Sequence, residues 1–305
     1  MKRILLSSIL ISTLILFSNS LYSFKKEKKV TTLKEMKKIM QKGYSFVPSG
    51  NTIYENDTVS LQGFFMMKGE VTNMNYREYL SNLKVSGKID EYKKALPDTT
   101  LWTTSSIHNK KYTDYYFNHP AYNDYPVVNI TREQAEAYCV WLTENWRKNT
   151  GNQSLVFRLP KRAEYLRATN GSALRRPFAW DGPFIRKPDG RYLCNHLALG
   201  NTNITRDPET NEFKVITEYD ALLDAYFEEN SSSDILAPSK SFWPNEFDLY
   251  NLNGNASEMV EEKDIVVGGD WNSPGYDVRN ESTRKYTGAS PYASFRPVMT
   301  FVEIK

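Results

Sequence analysis

Leu249-Tyr250-Asn251-Leu252-Asn253-Gly254-Asn255-Ala256-Ser257-Glu258 concentrates asparagines, a glycine and a glutamate in a short, poorly helical run. Amide and carboxylate side chains are hard oxygen donors, and Gly254 lets the chain turn so that backbone carbonyls can point the same way. Calcium takes six to eight such oxygens in a tolerant geometry. One carboxylate is few for an all-protein cage, and Asn253-Gly254 is also a strong turn signal on its own. On residue chemistry alone, the stretch is either a tight turn or an oxygen-rich cation loop.

The segments around it are short and turn-rich. Phe242–Tyr250 leads into the stretch. After it, Val266-Val267-Gly268-Gly269-Asp270-Trp271 reads as a strand breaking into a glycine turn, and Ser282–Arg284 and Phe295–Val298 read as closing strands. Toward the N-terminus, Tyr44–Gly50 predicts a strand ended by a Pro/Gly turn, and Leu61–Met67 a second apolar run. Thr72 suits the N-cap of a helix bearing Tyr76, Leu80 and Leu83 at helical spacing.

Pro126–Ile130 reads as a short strand. Thr131-Arg132-Glu133-Gln134 is then a capping-box start, followed by Ala135, Tyr138, Cys139, Leu142 and Trp146 on one face and a stop at Gly151. Val156–Pro160 predicts a strand entering a second helix over 161–168. Residues 85–125 form a long insert rich in Tyr, Asn, Asp and His, and 193–240 is polar and loop-rich. Two main helices, many short strands and long loops predict one loop-rich α+β domain over 44–305.

Residues 1–23 carry the pattern of an export signal. Lys2-Arg3 precede an apolar run from Ile4 to Phe17, and small residues follow. Residues 24–43 are Lys-rich and read as a solvated tether, with a short helix around Leu33–Met40. No cysteine stands near the end of the leader, so the acylation site of a bacterial lipoprotein is lacking. The net charge is +3, which gives no global field for nucleic acid. Cys139 and Cys194 are the only cysteines; pairing between them is left open.

Six signatures occur in order: Glu70-Val71-Thr72-Asn73, Pro126–Leu142, Arg158-Leu159-Pro160, Pro244–Glu258, Gly268-Gly269-Asp270-Trp271 and Phe295-Arg296. Together they resemble the sulfatase-modifying-factor superfamily, which includes formylglycine-generating enzymes. The resemblance covers Tyr44 to Val302 and implies a C-type-lectin-like fold. Leu96–Trp102 and Asp114–Val128 are similar to the insert of the gliding-motility lipoprotein K branch of type IX secretion. That branch implies a non-catalytic component of a periplasmic ring at the inner face of the outer membrane, held there through other secretion and motility proteins. Without a lipidation cysteine, membrane association here would be indirect.

The resemblance also implies two structural calcium sites. The first would use the side chains of Asn251 and Glu258 with the carbonyls of Gly254 and Ala256. The second would use Asn195, the carbonyl of His196, Asp234 and the carbonyl of Leu236. The copper chemistry of formylglycine-generating enzymes needs two thiolates after the glycine turn, because soft ligands hold copper(I). The matching positions fall at about Ser273 and Val278, which supply none. His108, His119 and His196 lack the spacing of a three-histidine iron site. The expectation is therefore a non-enzyme: a structural subunit of a secretion or motility complex, or a lectin-like glycan or peptide binder using loops 85–125 and 195–235.

Overall fold

The computed structural model describes residues 32–104, 110–197, 204–206, 210, 213–215 and 235–302. The leader, His108 and Asp234 lie outside the described residues.

The capping signals fix where the helices begin. Helix α1 (Leu33–Met40) starts at Thr32, whose hydroxyl accepts from the Glu35 N–H while Glu35 reaches back. Its Met36 and Met40 are buried in the main core, which anchors this part of the Lys-rich segment to the domain. Strands β1 (Tyr44–Val47), β2 (Gly50–Tyr54), β3 (Asp57–Leu61) and β4 (Phe64–Met67) follow. The apolar run at Leu61–Met67 is thus two strands, parted by Gln62 and Gly63. Helix α2 (Asn73–Val85) begins at Thr72 with a capping box to Asn75. Helices α3 (Ile89–Ala95) and α4 (Lys110–Tyr115) lie in the insert.

Pro126–Ile130 is not a strand. It makes one bridge, Pro126 to Thr72, and Asn129 then takes a positive φ of 60°. That left-handed step ends the ladder just before α5 (Arg132–Thr150), the longest helix, which opens on the Thr131/Gln134 capping box and closes at Gly151. Strand β5 (Leu155–Arg158) and helix α6 (Arg162–Asn170) come next. The two-stranded ladder of β6 (Ile204–Arg206) and β7 (Phe213–Val215) precedes the C-terminal strands β8 (Ser257–Met259), β9 (Ile265–Val267), β10 (Thr283–Lys285), β11 (Ala293–Phe295) and β12 (Val298–Phe301).

One sheet has the order β1-β4-β12-β5 and is antiparallel throughout. Side-chain alternation gives it two buried faces. Phe65, Phe157 and Met299 pack with Tyr76, Tyr138 and Leu142 of α2 and α5. Phe64, Met66 and Val298 point the other way, against Tyr165 and Ala168 of α6 and Leu249 and Leu252. The second sheet has the order β10-β9-β8-β11, with β8 and β11 parallel. That pairing brings Glu258 beside Ser294, two residues before Arg296. The architecture is the expected loop-rich α+β fold.

Candidate functional site

The opening stretch is buried from Asn251 to Glu258. Four of its side chains meet groups from distant parts of the chain; Asn253 accepts from the Ala179 N–H (2.8 Å) and donates to the Val278 carbonyl (2.7 Å), and the other three converge. Asn255 donates to Glu70 Oε1 (2.8 Å) and to the Ala237 carbonyl (3.1 Å), while its Oδ1 accepts from the Ala237 N–H (2.7 Å) and from Asn195 Nδ2 (3.2 Å). Asn251 donates to the Pro238 carbonyl (3.1 Å) and to Glu70 Oε2 (3.4 Å). Glu258 receives Arg296 at both oxygens, Nη2 to Oε1 at 2.7 Å and Nε to Oε2 at 3.0 Å. The remaining Arg296 donors reach the carbonyls of Lys68 (2.9 Å), Met67 (3.2 Å) and Tyr250 (2.7 Å).

Two buried carboxylates therefore feel one guanidinium, which is bonded to Glu258 and acts on Glu70 through its charge. Burial pushes the Glu70 carboxyl up to about 8; Arg296 opposes this, and Glu258 adds to it. Burial raises Glu258 as well, against the pull of Arg296. At neutral pH the cluster balances when Glu70 holds a proton and Glu258 is the anion paired with Arg296.

The two sequence-predicted ligand segments are brought together. The Asn255 N–H donates to the Asn195 carbonyl (2.7 Å), and Asn195 Nδ2 donates to the Ile235 carbonyl (2.7 Å). Gly254 has φ +74°, and a Cβ there would lie well inside contact distance of the same Asn195 oxygen. Gly254 thus permits both the turn and the approach. Leu236 and His196 are buried next to these loops. The first ligand set is not an open cage, however. A calcium ion taking Glu258 would have to share that carboxylate with Arg296. Asn251 Oδ1 is buried and has no hydrogen-bond partner among the described residues.

The glycine turn packs directly on this loop. The Gly254 N–H donates to the Gly268 carbonyl (2.7 Å), and the Trp271 N–H to the Asn255 carbonyl (3.0 Å). Asp270 is fully buried; it accepts from Ser257 (2.8 Å) and Ser273 (3.0 Å) and pairs with Arg284. The positions where the resemblance places copper ligands are both buried. The Ser273 hydroxyl is committed to Asp270, and Val278 packs in an apolar cluster with Phe178 and Cys194.

Cys194 thus comes close to the glycine-turn region, which its place in the sequence did not suggest. It is a single thiol, and burial pushes it up to about 12. Its Sγ lies 3.8 Å from His196 Nδ1, in an imidazole whose pKa burial lowers. Cys139 belongs to a different cluster, beneath α5, and burial raises its thiol too. Both cysteines are free. Among the described residues, no group of three or more His, Cys, Asp or Glu side chains could hold a metal.

Residues 29–298 match the sulfatase-modifying factor enzyme 1-like domain. The chain belongs to this family. Among solved structures, this family member is similar to PvdO from Pseudomonas aeruginosa, with 17% identity over 85% of this chain and 94% of the other and a TM-score of 0.52. CarF is similar at 15% identity, over 85% of this chain and 98% of the other, with a TM-score of 0.52. At such identities the likeness concerns the fold. No curated protein matches the chain.

Sequence reasoning missed two parts of the site. Glu70 was legible only as part of a signature, because its partners lie 181 and 185 residues away. The aromatic insert, expected as a binding loop, turns largely inward. Trp102 and Tyr116 are buried, with ring centroids 4.9 Å apart, and Tyr112, Tyr122 and Tyr125 pack around them. Among the described residues of the insert, Tyr115 is the exposed tyrosine.

Proposed function

We propose that this chain is a non-catalytic structural subunit of an exported assembly related to type IX secretion and gliding motility. The observation that carries the non-catalytic reading is the fate of the two positions after the glycine turn. Ser273 is a buried hydrogen-bonding residue and Val278 a core residue, so neither can present a thiolate to copper. The assembly is proposed from the insert: Leu96–Trp102 and Asp114–Val128 are similar to the insert of the lipoprotein K branch. In this reading the protein works in the periplasm, bound to other secretion and motility proteins, in a ring that repeats the subunit.

Structural calcium at Asn251, Gly254, Ala256 and Glu258 belongs to the same proposal. The partnerless Asn251 Oδ1 supports it, and the Arg296 pair on Glu258 works against it. A calcium ion bound only to the native state would raise stability, so EGTA should lower the melting temperature. Unchanged melting removes the ion from the proposal.

The assembly is tested by crosslinking in the native cell envelope, followed by capture of the protein and mass spectrometry. Secretion and motility proteins should be recovered in fixed proportion. Recovery of nothing reproducible would defeat the reading.

A second reading, a lectin-like binder, is favoured by one observation, on a surface other than the expected loops 85–125 and 195–235. A cleft of 590 Å³ opens on the side of Arg175–Pro177 and Tyr276–Thr283, away from the insert. Its volume falls within the roughly 300–1,000 Å³ of small-ligand sites, and its walls are more polar than most.

A further inference from the structure

The cleft lies between two loops that follow secondary-structure ends. One follows α6 and carries Arg175 and Arg176. The other follows the glycine turn and carries Tyr276, Asp277, Arg279 and Glu281. The loops are tied together beneath the cleft. The Asn280 N–H donates to the Pro177 carbonyl (2.9 Å), and Asn280 Nδ2 donates to Asn170 Oδ1 (3.0 Å) and to the Arg176 carbonyl (3.1 Å). Arg162 Nη2 reaches the Asn280 carbonyl at 2.7 Å. Asn280 and Arg162 are buried, so these bonds hold the two loops together from within the fold.

The walls carry planar charged groups of both signs. Arg175 pairs with Glu281 at 2.6 Å, both half-exposed. Arg176 lies 3.4 Å from Asp181 and 3.6 Å from Glu246. Arg279 stacks on the ring of Tyr276, 4.4 Å from its centroid. Tyr276 is nevertheless 69% exposed, one of the two most exposed aromatic rings among the described residues, with Phe184 at 72%. A single exposed ring is ordinary on a protein surface; what sets Tyr276 apart is that it lines the cleft beside charged side chains.

This charge balance decides the ligand class. An anion would meet Asp277 and Glu281 as well as the arginines, and a cation would meet the arginines. A hydroxyl is both a donor and an acceptor. Guanidinium and carboxylate groups each offer two atoms in a plane, which matches the spacing of neighbouring hydroxyls. The negative face of an aromatic ring suits the apolar C–H face of a pyranose. We propose that this cleft binds a neutral saccharide, with a sugar ring against Tyr276 and its hydroxyls on Arg175, Glu281 and Arg279. The proposal rests on the binder reading and is independent of the subunit reading, since the cleft and the insert are different surfaces.

The test uses the whole mature protein on an array of immobilised neutral and sialylated oligosaccharides, with inorganic phosphate as a competitor. Tyr276→Ala and Glu281→Gln are the informative variants. Both residues are exposed, and unchanged melting and circular dichroism show that the variants fold. The expected result is retention of at least one neutral oligosaccharide, weakened tenfold or more by either variant, with millimolar phosphate having no effect. Three results overturn the proposal: no retention, retention that both variants leave unchanged, or retention confined to sialylated glycans or abolished by phosphate. None of these bears on crosslinking to envelope proteins, so the two readings fail separately.

Discussion

Arg296 donates to both carboxylate oxygens of Glu258, and neither side chain is more than 1% exposed. The pair also ties two further backbone segments, because the other Arg296 donors hold carbonyls at the end of β4 and just before Asn251. Removing the guanidinium would strand a buried carboxylate and take one donor from each of the Met67, Lys68 and Tyr250 carbonyls, of which Lys68 keeps the Tyr250 N–H. Arg296→Met should therefore cost about 3–5 kcal/mol, measured by urea unfolding. Adding Glu258→Gln should recover part of that loss by removing the stranded charge. Additive losses in the double variant would mean the two residues are not coupled.

Glu70 makes stability fall as pH rises. Its folded pKa is about 8, above the ordinary 4.5, so the folded chain holds a proton that the unfolded chain releases. The contribution is full below about pH 4.5 and is lost as pH climbs through 8, with a slope of at most about 1.4 kcal/mol per pH unit. Glu70→Gln should flatten this part of the profile. Urea unfolding at pH 5, 6.5 and 8 should show the variant gaining on the wild type as pH rises. A constant difference would mean that Glu70 is already ionised at pH 5.

Gly254 and Gly182 separate backbone strain from collision. Both have positive φ, +74° and +91°, but a Cβ at Gly182 meets nothing within 4 Å, whereas one at Gly254 meets the Asn195 carbonyl. Gly182→Ala should cost about 1–2 kcal/mol. Gly254→Ala should cost clearly more, since the loop and Asn195 must part. Equal losses by thermal or urea unfolding would contradict the close approach.

The thiols should be inert in the folded protein. Burial raises the pKa of both Cys139 and Cys194, and the thiolate is the reactive form. A colorimetric thiol reagent at pH 8 should react with neither in native protein and with both in urea. Fast native reaction at one site, assigned by mass spectrometry after Cys194→Ser, would show that this thiol is reachable.

Local chemistry alone determined the helix starts at Thr72 and Thr131, the stop at Gly151 and the turn at Gly254. Each depends on groups a few residues apart, so the pattern is written contiguously. The ordered signatures likewise sufficed for the family and the α+β class. The strand expected at Pro126–Ile130 failed because its backbone makes one bridge and then turns through Asn129, a matter of which segments lie alongside.

The cluster of Glu70, Asn255, Glu258 and Arg296 was beyond reach for the same reason. The parallel pairing of β8 with β11 and the loop after β4 bring together residues up to 226 positions apart, from Glu70 to Arg296. The sequence shows Glu258 as a free oxygen donor; the fold gives it a guanidinium. Tyr276 and Arg175 come to line one cleft only because two distant loops are laced through Asn280. Burial and long-range pairing set both the pKa of a carboxyl and the exposure of a ring, and neither is a property of neighbours in sequence.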